Sequence, residues 1–344
     1  MGKVAVVGHL CVDIRPQLSH PPTLEPGTLQ QVGPVAIALG GAVANTGRVL
    51  AVLGAPVVGW GAVGSDDLGA IIRTHLGRIP GFEFRPQTVA VGSSYTIVLE
   101  PPQLDRAFWN YPGSNAHLDL GAVSLEGIDL LHFGYPSLMP GVCADQGARL
   151  VDLFGRANAQ GIATSLDLAW IDPRSGAAEV DWPGFLRRIL PVTDILCPSY
   201  DDLACIFDLP DRFDAGAATE LVERLLAWGA GIVMVTGGAD GILLGVGEAG
   251  RLGRLASCGL LPQDWAGVRL HAPARALSQV STTTGAGDAA TAGLLFGLRS
   301  GLGPQAAVEL AADVAAAVIE QGGTEAFTGS GDDFAGCVGR PPGL

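Results

Sequence analysis

Short apolar runs alternate along the chain with longer stretches in which apolar positions recur every three or four residues. The runs at 4–7, 57–62, 130–133, 163–167, 195–197 and 232–236 predict strands buried on both faces. The periodic stretches at 42–53, 67–76, 143–159, 221–228, 288–298 and 304–320 predict helices. Strand and helix in alternation are the signature of βαβ units, so the fold class is α/β, with a mostly parallel central sheet flanked by helices on both faces. Two stretches break the alternation. About 14–37 is rich in Pro, Gln and Gly, and about 84–111 carries alternating β-formers such as SSYTIVL and FWNY. Neither reads as part of a parallel sheet, and loops of that length inside a compact domain are uncommon unless functional. Phe108, Trp109 and Tyr111 could pack a small second core, line a pocket or form a subunit surface. The last residues are Gly- and Pro-rich, which sets the expected organisation as one domain over 1–326 with a loosely attached tail over 327–344.

Composition narrows the classes. The chain has 344 residues, 48% of them hydrophobic, which suits one large α/β domain with an appendage. Runs such as GIVMVTGG from Gly231 are too short for a membrane span and are broken by Gly, Pro or charge. The N-terminus shows no signal-peptide pattern, and the expected location is cytoplasmic, with no membrane partner. Six cysteines without a CxxC pair argue against a disulfide framework and a structural zinc site. A net charge of -14 argues against a nucleic-acid partner, which needs clustered Lys and Arg. An acidic chain that handles an anion must draw positive potential from backbone amides or a bound cation.

The segment 282–288 reads TTTGAGD and runs directly into AATAGLLFGL. A glycine turn thereby delivers a carboxylate, Asp288, to the start of a helix. Backbone N–H groups at Gly285, Ala286 and Gly287, together with the positive end of that helix, would make an anion site. Asp288 beside it suits the base of a phosphoryl transfer, or else simply caps the helix. Asp13 follows the first strand, and Asn45 lies at the front of the helix opened by Gly40 and Gly41. A carboxylate and an amide in one cleft suit vicinal hydroxyls, though a strand-end turn former and a helix cap are the plain alternatives. MVTGGADG from Met234 is a strand followed by a tight turn.

These motifs, in this order, resemble the ribokinase-like (PfkB) sugar and nucleoside kinases from about Val4 to about Gly323. GAGD matches the family's turn, Gly40, Gly41 and Asn45 match its GGxxxN, and AVGSDDLG from Ala62 matches its AVGxDxxG. The resemblance implies a ribokinase-like fold whose small β lid comes from the segments at about 14–37 and 84–111. It implies Asp288 as general base, the Gly285, Ala286 and Gly287 amides as anion hole, and Asp13, Gly40, Gly41 and Asn45 as acceptor-binding residues. Thr236, Gly238 and Gly241 would approach the phosphates of ATP, with Mg2+ as the metal. Two departures qualify this. Where the family has NxxE near the Mg2+ site the chain has Ser199 and Asp202, which keep oxygen ligands for a hydrated ion. Where many members have the Asp of DTTGAGD the chain has Thr282, so activation by a monovalent cation does not follow. Ala42 replaces the lysine of many sugar-phosphate kinases, favouring a free sugar; a nucleoside base would want surface from Trp109, Tyr111 or Phe133. The expectation is an ATP- and Mg-dependent kinase of a free sugar, with a nucleoside kinase or an inactive sugar- or nucleotide-binding homologue as alternatives. Exposed lid edges also suggest a homodimer through the lid. A dinucleotide-dependent dehydrogenase is excluded, because no GxGxxG follows the first strand.

Overall fold

The computed structural model describes residues 2–102, 104, 106–210 and 212–334. Its strands are β1 (Lys3–Gly8), β2 (Cys11–Pro16), β3 (Val35–Gly40), β4 (Val57–Val63), β5 (Phe82–Thr88), β6 (Tyr95–Leu99), β7 (Ala107–Tyr111), β8 (Ile128–Gly134), β9 (Ala163–Asp167), β10 (Ile195–Leu196), β11 (Ile232–Thr236), β12 (Ile242–Val246) and β13 (Arg269–Ala272). The helices are α1 (Ala42–Val52), α2 (Asp67–Leu76), α3 (Pro140–Cys143), α4 (Ala148–Ala159), α5 (Trp182–Ile189), α6 (Tyr200–Phe207), α7 (Ala215–Ala227), α8 (Pro262–Trp265), α9 (Ala286–Arg299) and α10 (Pro304–Gln321).

Nine strands form the main sheet in the order β13-β12-β11-β10-β9-β8-β1-β4-β5, parallel except where β12 opposes both neighbours. Its strands alternate into two cores. Val4 and Val6 of β1 join the cluster that includes α1, α9 and α10, while Ala5 and Val7 join the cluster that includes α4, α5 and α7. Glycine sets one helix pair close together: a Cβ at Gly293 of α9 would lie 2.8 Å from Ala311 Cα of α10. The apolar stretch of α10 is therefore core, with Ala311, Val314 and Val318 fully buried. Among the described residues no helix is long and apolar enough to cross a membrane.

A second sheet has the order β3-β2-β6-β7. Register places Ala38, Asp13, Thr96 and Asn110 in one row across it. Alternation puts Asp13, Thr96, Phe108 and Asn110 on one face, and Ile37, Trp109 and Tyr111 on the other.

Three expectations change. The segment 84–111 is not all part of the small sheet, because β5 pairs in parallel with β4 as the edge of the main sheet. The helix expected over 143–159 is interrupted, since Gln146 (φ 56°) and Gly147 (φ 74°) turn left-handed between α3 and α4. The tail beyond 326 is anchored at its start, where Phe327 is buried and stacks on Phe334; residues 335–344 of the expected tail lie outside the described residues.

Candidate active site

Strand order reverses at β1, which leads through the small sheet to β4 on one side and lies beside β8 on the other. In open α/β sheets that switch point opens a crevice at the carboxyl ends of the strands. Here those ends bear Gly8 and His9, then Gly134 and Tyr135, then Asp167.

Asp288 stands in the first turn of α9 and is only 2% exposed. Its Oδ2 accepts hydrogen bonds from Asn45 Nδ2 (3.0 Å) and the Tyr135 hydroxyl (2.6 Å), and its Oδ1 from Thr46 Oγ1 (2.8 Å). Burial pushes the Asp288 carboxyl above the usual carboxylate range, against the opposing pull of those three bonds. The donors that favour its charged form are thus side chains from α1 and from the residue that follows β8. Asn45 is fixed in turn by Thr324, whose Oγ1 donates to its Oδ1 at 2.8 Å.

The turn before α9 is open because Gly285 is left-handed at φ 81°. Of its three amides, Ala286 N turns back to the Thr283 carbonyl at 3.3 Å, whereas among the described residues Gly285 N and Gly287 N make no such backbone bond. Two amides and the helix end thus offer the anion site expected from three.

Gly40 and Gly41 are required by close approach. A Cβ at Gly40 would sit 2.6 Å from Asp13 Oδ1, and one at Gly41 (φ 87°) would run into the His9 carbonyl and lie 2.6 Å from His9 Nδ1. Asp13 is nearly buried, with Cys11 Sγ at 3.3 Å and Arg15 Nη2 at 3.6 Å. Burial raises its carboxyl and Arg15 opposes the shift. His9 is buried, both its ring nitrogens are without a hydrogen-bond partner among the described residues, and burial lowers it to about 4, a neutral imidazole under the site.

On the other side, Ser199 bridges to Thr236, bringing the start of α6 to the end of β11. Ser199 and Asp202 form a capping box: Asp202 Oδ2 accepts from Ser199 N (2.9 Å) and Ser199 Oγ from Asp202 N (3.1 Å). Their oxygens are therefore partly spent on the helix end, and no group of three or more metal-binding side chains occurs among the described residues. Asp202 is raised to about 6 by burial, with the Asp288 charge adding to the shift, and Asp167 is raised further by burial and by both carboxylates. Gly238 (φ 57°) faces open space at the β11–β12 turn, but Gly241 (φ 90°) is explained by packing, since its Cβ would enter the Ala272 carbonyl.

Sequence reading missed Thr46, Tyr135 and Asp167. Thr46 had a signal, being next to Asn45 on the same helix. Tyr135 had none in sequence, yet its left-handed backbone (φ 68°) is a strained conformation that bulky residues rarely hold outside functional sites. The aromatic surface expected for a base is absent where it was sought: Phe133 is core, and Trp109 and Tyr111 lie on the face of the small sheet away from Asp13. Arg48 donates to the carbonyls of Thr324 and Glu325.

The chain matches the profile of the pfkB family carbohydrate kinases over residues 1–330. Its fold is similar to that of a ribokinase from Giardia lamblia, with 18% identity, a TM-score of 0.76 and coverage of 98% of this chain and 99% of that one. The Arabidopsis thaliana ribokinase complexed with ribose and ATP matches at 17% identity and TM-score 0.73, covering 99% of each chain. A nucleoside kinase from Methanocaldococcus jannaschii matches at 18% identity and TM-score 0.69, covering 98% of each.

Proposed function

The chain belongs to the pfkB family of carbohydrate kinases, and from that premise we propose that it transfers the γ-phosphoryl group of ATP to a hydroxyl of a free sugar. The observation that carries this reading is Asp288, buried and oriented by three neutral donors beside an open glycine turn. The acceptor oxygen attacks the γ-phosphorus, the bond to the departing ADP breaks, and the hydroxyl proton passes to Asp288. Oδ2 already accepts two bonds and Oδ1 one, so the free lone pair for that proton is on Oδ1. Gly285 N and Gly287 N meet the charge on the transferring group. Asp13, seated against Gly40, and Asn45, held by Thr324, orient the sugar hydroxyls.

The buried carboxylates Asp167, Asp202 and Asp288 repel one another, a charge arrangement that a divalent cation relieves, so the residues fit Mg2+. Ser199 and Asp202 would hold it through water, since Asp202 Oδ1 remains for that contact. Bound there, Mg2+ supplies charge neutralisation on the nucleotide phosphates. Thr236 and Gly238 stand at the nucleotide end.

A free sugar is favoured over a sugar phosphate, because Ala42 brings no charge and Arg48 is engaged with Thr324 and Glu325. It is favoured over a nucleoside by the burial of Phe133 and the outward placement of Trp109 and Tyr111. The small sheet acts as a lid that excludes water. Its outer face exposes Ile37, Trp109 and Tyr111, which supports a homodimer through the lid, checked by mass in solution.

The test is Mg-ATP consumption across free pentoses, hexoses, keto-deoxy acids and nucleosides. Turnover with a sugar supports the reading, and turnover confined to nucleosides reassigns the acceptor. Nucleotide binding without turnover on any acceptor would indicate a binding homologue.

A further inference from the structure

His9 occupies the joint between the two sheets, directly after β1 and two residues before β2. The backbone of that joint is engaged throughout: His9 N donates to the Gly134 carbonyl (3.2 Å), the His9 carbonyl accepts from Val43 N (3.3 Å), and Leu10 exchanges both its backbone bonds with the Asn115 side chain (3.1 and 3.0 Å). The imidazole is not engaged. Only 2% of His9 is exposed, and neither ring nitrogen has a hydrogen-bond partner among the described residues. His132, also buried, differs at one nitrogen, because its Nδ1 lies 3.0 Å from Ser165 Oγ. A buried polar atom without a partner is costly, and folded chains keep one where a ligand or a water meets it.

Its neighbours place the His9 ring in the acceptor site. Gly40 and Gly41 each give way to one polar side chain: a Cβ at Gly40 would lie 2.6 Å from Asp13 Oδ1, and one at Gly41 would lie 2.6 Å from His9 Nδ1. Asp13 and His9 therefore press on consecutive residues of one turn. The Tyr135 ring, whose hydroxyl reaches Asp288, is centred 6.0 Å from the His9 ring. Burial does not set His9 apart from the groups an acceptor must reach, since Asp13 and Asn45 are each 8% exposed and Asp288 is 2% exposed. The movement that admits a sugar to Asp13 opens the same turn to His9.

The ring's chemistry selects the group it meets. Burial lowers the imidazole to about 4, so at neutral pH it is uncharged and carries one N–H donor and one lone pair. A hydroxyl, which both donates and accepts, matches either nitrogen, whereas a carboxylate or phosphate would use only the donor. Asp13 beside it supplies acceptor oxygens. We propose that His9 is a specificity-determining residue of the acceptor site: its imidazole hydrogen-bonds one hydroxyl of the sugar while Asp13 accepts from the adjacent one, so that the two side chains together read a vicinal diol. The inference rests on the kinase reading for what fills the crevice, and deepens it with a contact beyond Asp13, Gly40, Gly41 and Asn45. His9 takes no part in the covalent step, and the transferred proton still goes to Asp288.

The test is calorimetric binding of free pentoses and hexoses, each beside its single-deoxy derivatives, to the wild type, His9→Phe and His9→Gln. His9→Phe keeps a ring against Gly41 and Tyr135 but has no nitrogen; His9→Gln keeps one donor group and one acceptor. The wild type is expected to lose about tenfold in affinity when the hydroxyl that meets His9 is removed. His9→Phe should bind the parent sugar about tenfold more weakly and no longer distinguish it from that one deoxy derivative, while its discrimination at every other hydroxyl matches the wild type. His9→Gln should recover part of the lost discrimination. A purely structural histidine, or one that meets only a trapped water, predicts instead that His9→Phe loses the same factor on the parent and on every deoxy derivative, and that result overturns the inference. Should His9→Phe show no cooperative unfolding, His9→Gln carries the same comparison: discrimination altered at one hydroxyl supports the inference, and discrimination unchanged at all of them overturns it. A wild type that binds a sugar without transferring phosphate to it overturns the kinase reading and leaves this inference standing. A wild type that binds no sugar of the panel overturns both this inference and the choice of a free sugar.

Discussion

Asp194 and Asp288 are both buried aspartates, and they are treated in opposite ways. Asp194 precedes β10 at the amino end of the strands and is held by Arg251 Nη1 (2.6 Å), Arg254 Nη2 (2.7 Å) and the Thr164 amide (2.9 Å). Asp288 lies at the carboxyl end of the sheet and receives only neutral donors, with Asp167 and Asp202 as like-charged neighbours. A carboxylate matched by two guanidiniums has nothing left to do chemically; it ties Arg251 and Arg254 to the start of β10. One left without a counter-charge keeps a high proton affinity and an unfilled lone pair. The sheet thus separates a charge-matched carboxylate from an unmatched one by end, and four substitutions probe that separation.

Asp194→Ala should have the largest effect on stability. It leaves two guanidiniums without the buried carboxylate they share, and losing one partner of a buried pair costs about 3–5 kcal/mol. Denaturant unfolding should show that loss, while turnover per folded molecule stays unchanged. At the reactive end, Gly41→Ala forces a side chain into a left-handed position against His9, a strain of about 1–3 kcal/mol. The acceptor KM should rise while nucleotide affinity holds. Tyr135→Phe removes the 2.6 Å donor to Asp288, so the carboxylate loses a bond that favours its charged form. The acidic limb of the kcat profile should move to higher pH, with activity recovering as pH rises; an unmoved limb would remove Tyr135 from the account. The smallest effect is Asp167→Asn. Burial raises the folded Asp167 carboxyl, so the native state binds its proton more tightly than the unfolded chain does. Stability from this group is present below the unfolded carboxylate value and is lost as pH rises through the folded one. The Asn variant should therefore gain Tm relative to the wild type at pH 8 and show little gain at pH 4.

The parts of this structure legible in the sequence are those specified locally. The runs at 163–167 and 232–236 and the periodic stretch at 67–76 are found as β9, β11 and α2 with the same bounds, because each carries its own apolar pattern and flanking turn. β5 was mistaken for part of the second sheet because FEFRPQT is a half-exposed edge strand without a continuous apolar run. β13 escaped for the same reason, its residues being mostly open to solvent. The break between α3 and α4 depends on a left-handed Gln146, which composition does not announce. In the site, Asp288 and Asn45 were legible because each sits in a short motif that opens a helix. Tyr135 and Asp167 were not, since they meet Asp288 only after the chain closes over separations of 153 residues and a comparable distance. The capping box of Ser199 and Asp202 shows the converse, where a motif read for metal also serves a helix end.

The most direct test of the central claim is single-turnover phosphoryl transfer by the wild type and Asp288→Asn, with the acceptor found in the substrate screen. Asn keeps the shape of the side chain, and its one carbonyl oxygen can still accept from Asn45 and Tyr135, but its amide nitrogen cannot take the proton. The account predicts a fall of about 10²- to 10⁴-fold in the transfer rate, with nucleotide and acceptor affinities nearly unchanged. A variant that transfers within a few-fold of the wild type would show that Asp288 is not the base, and would return it to the role of a helix-capping residue.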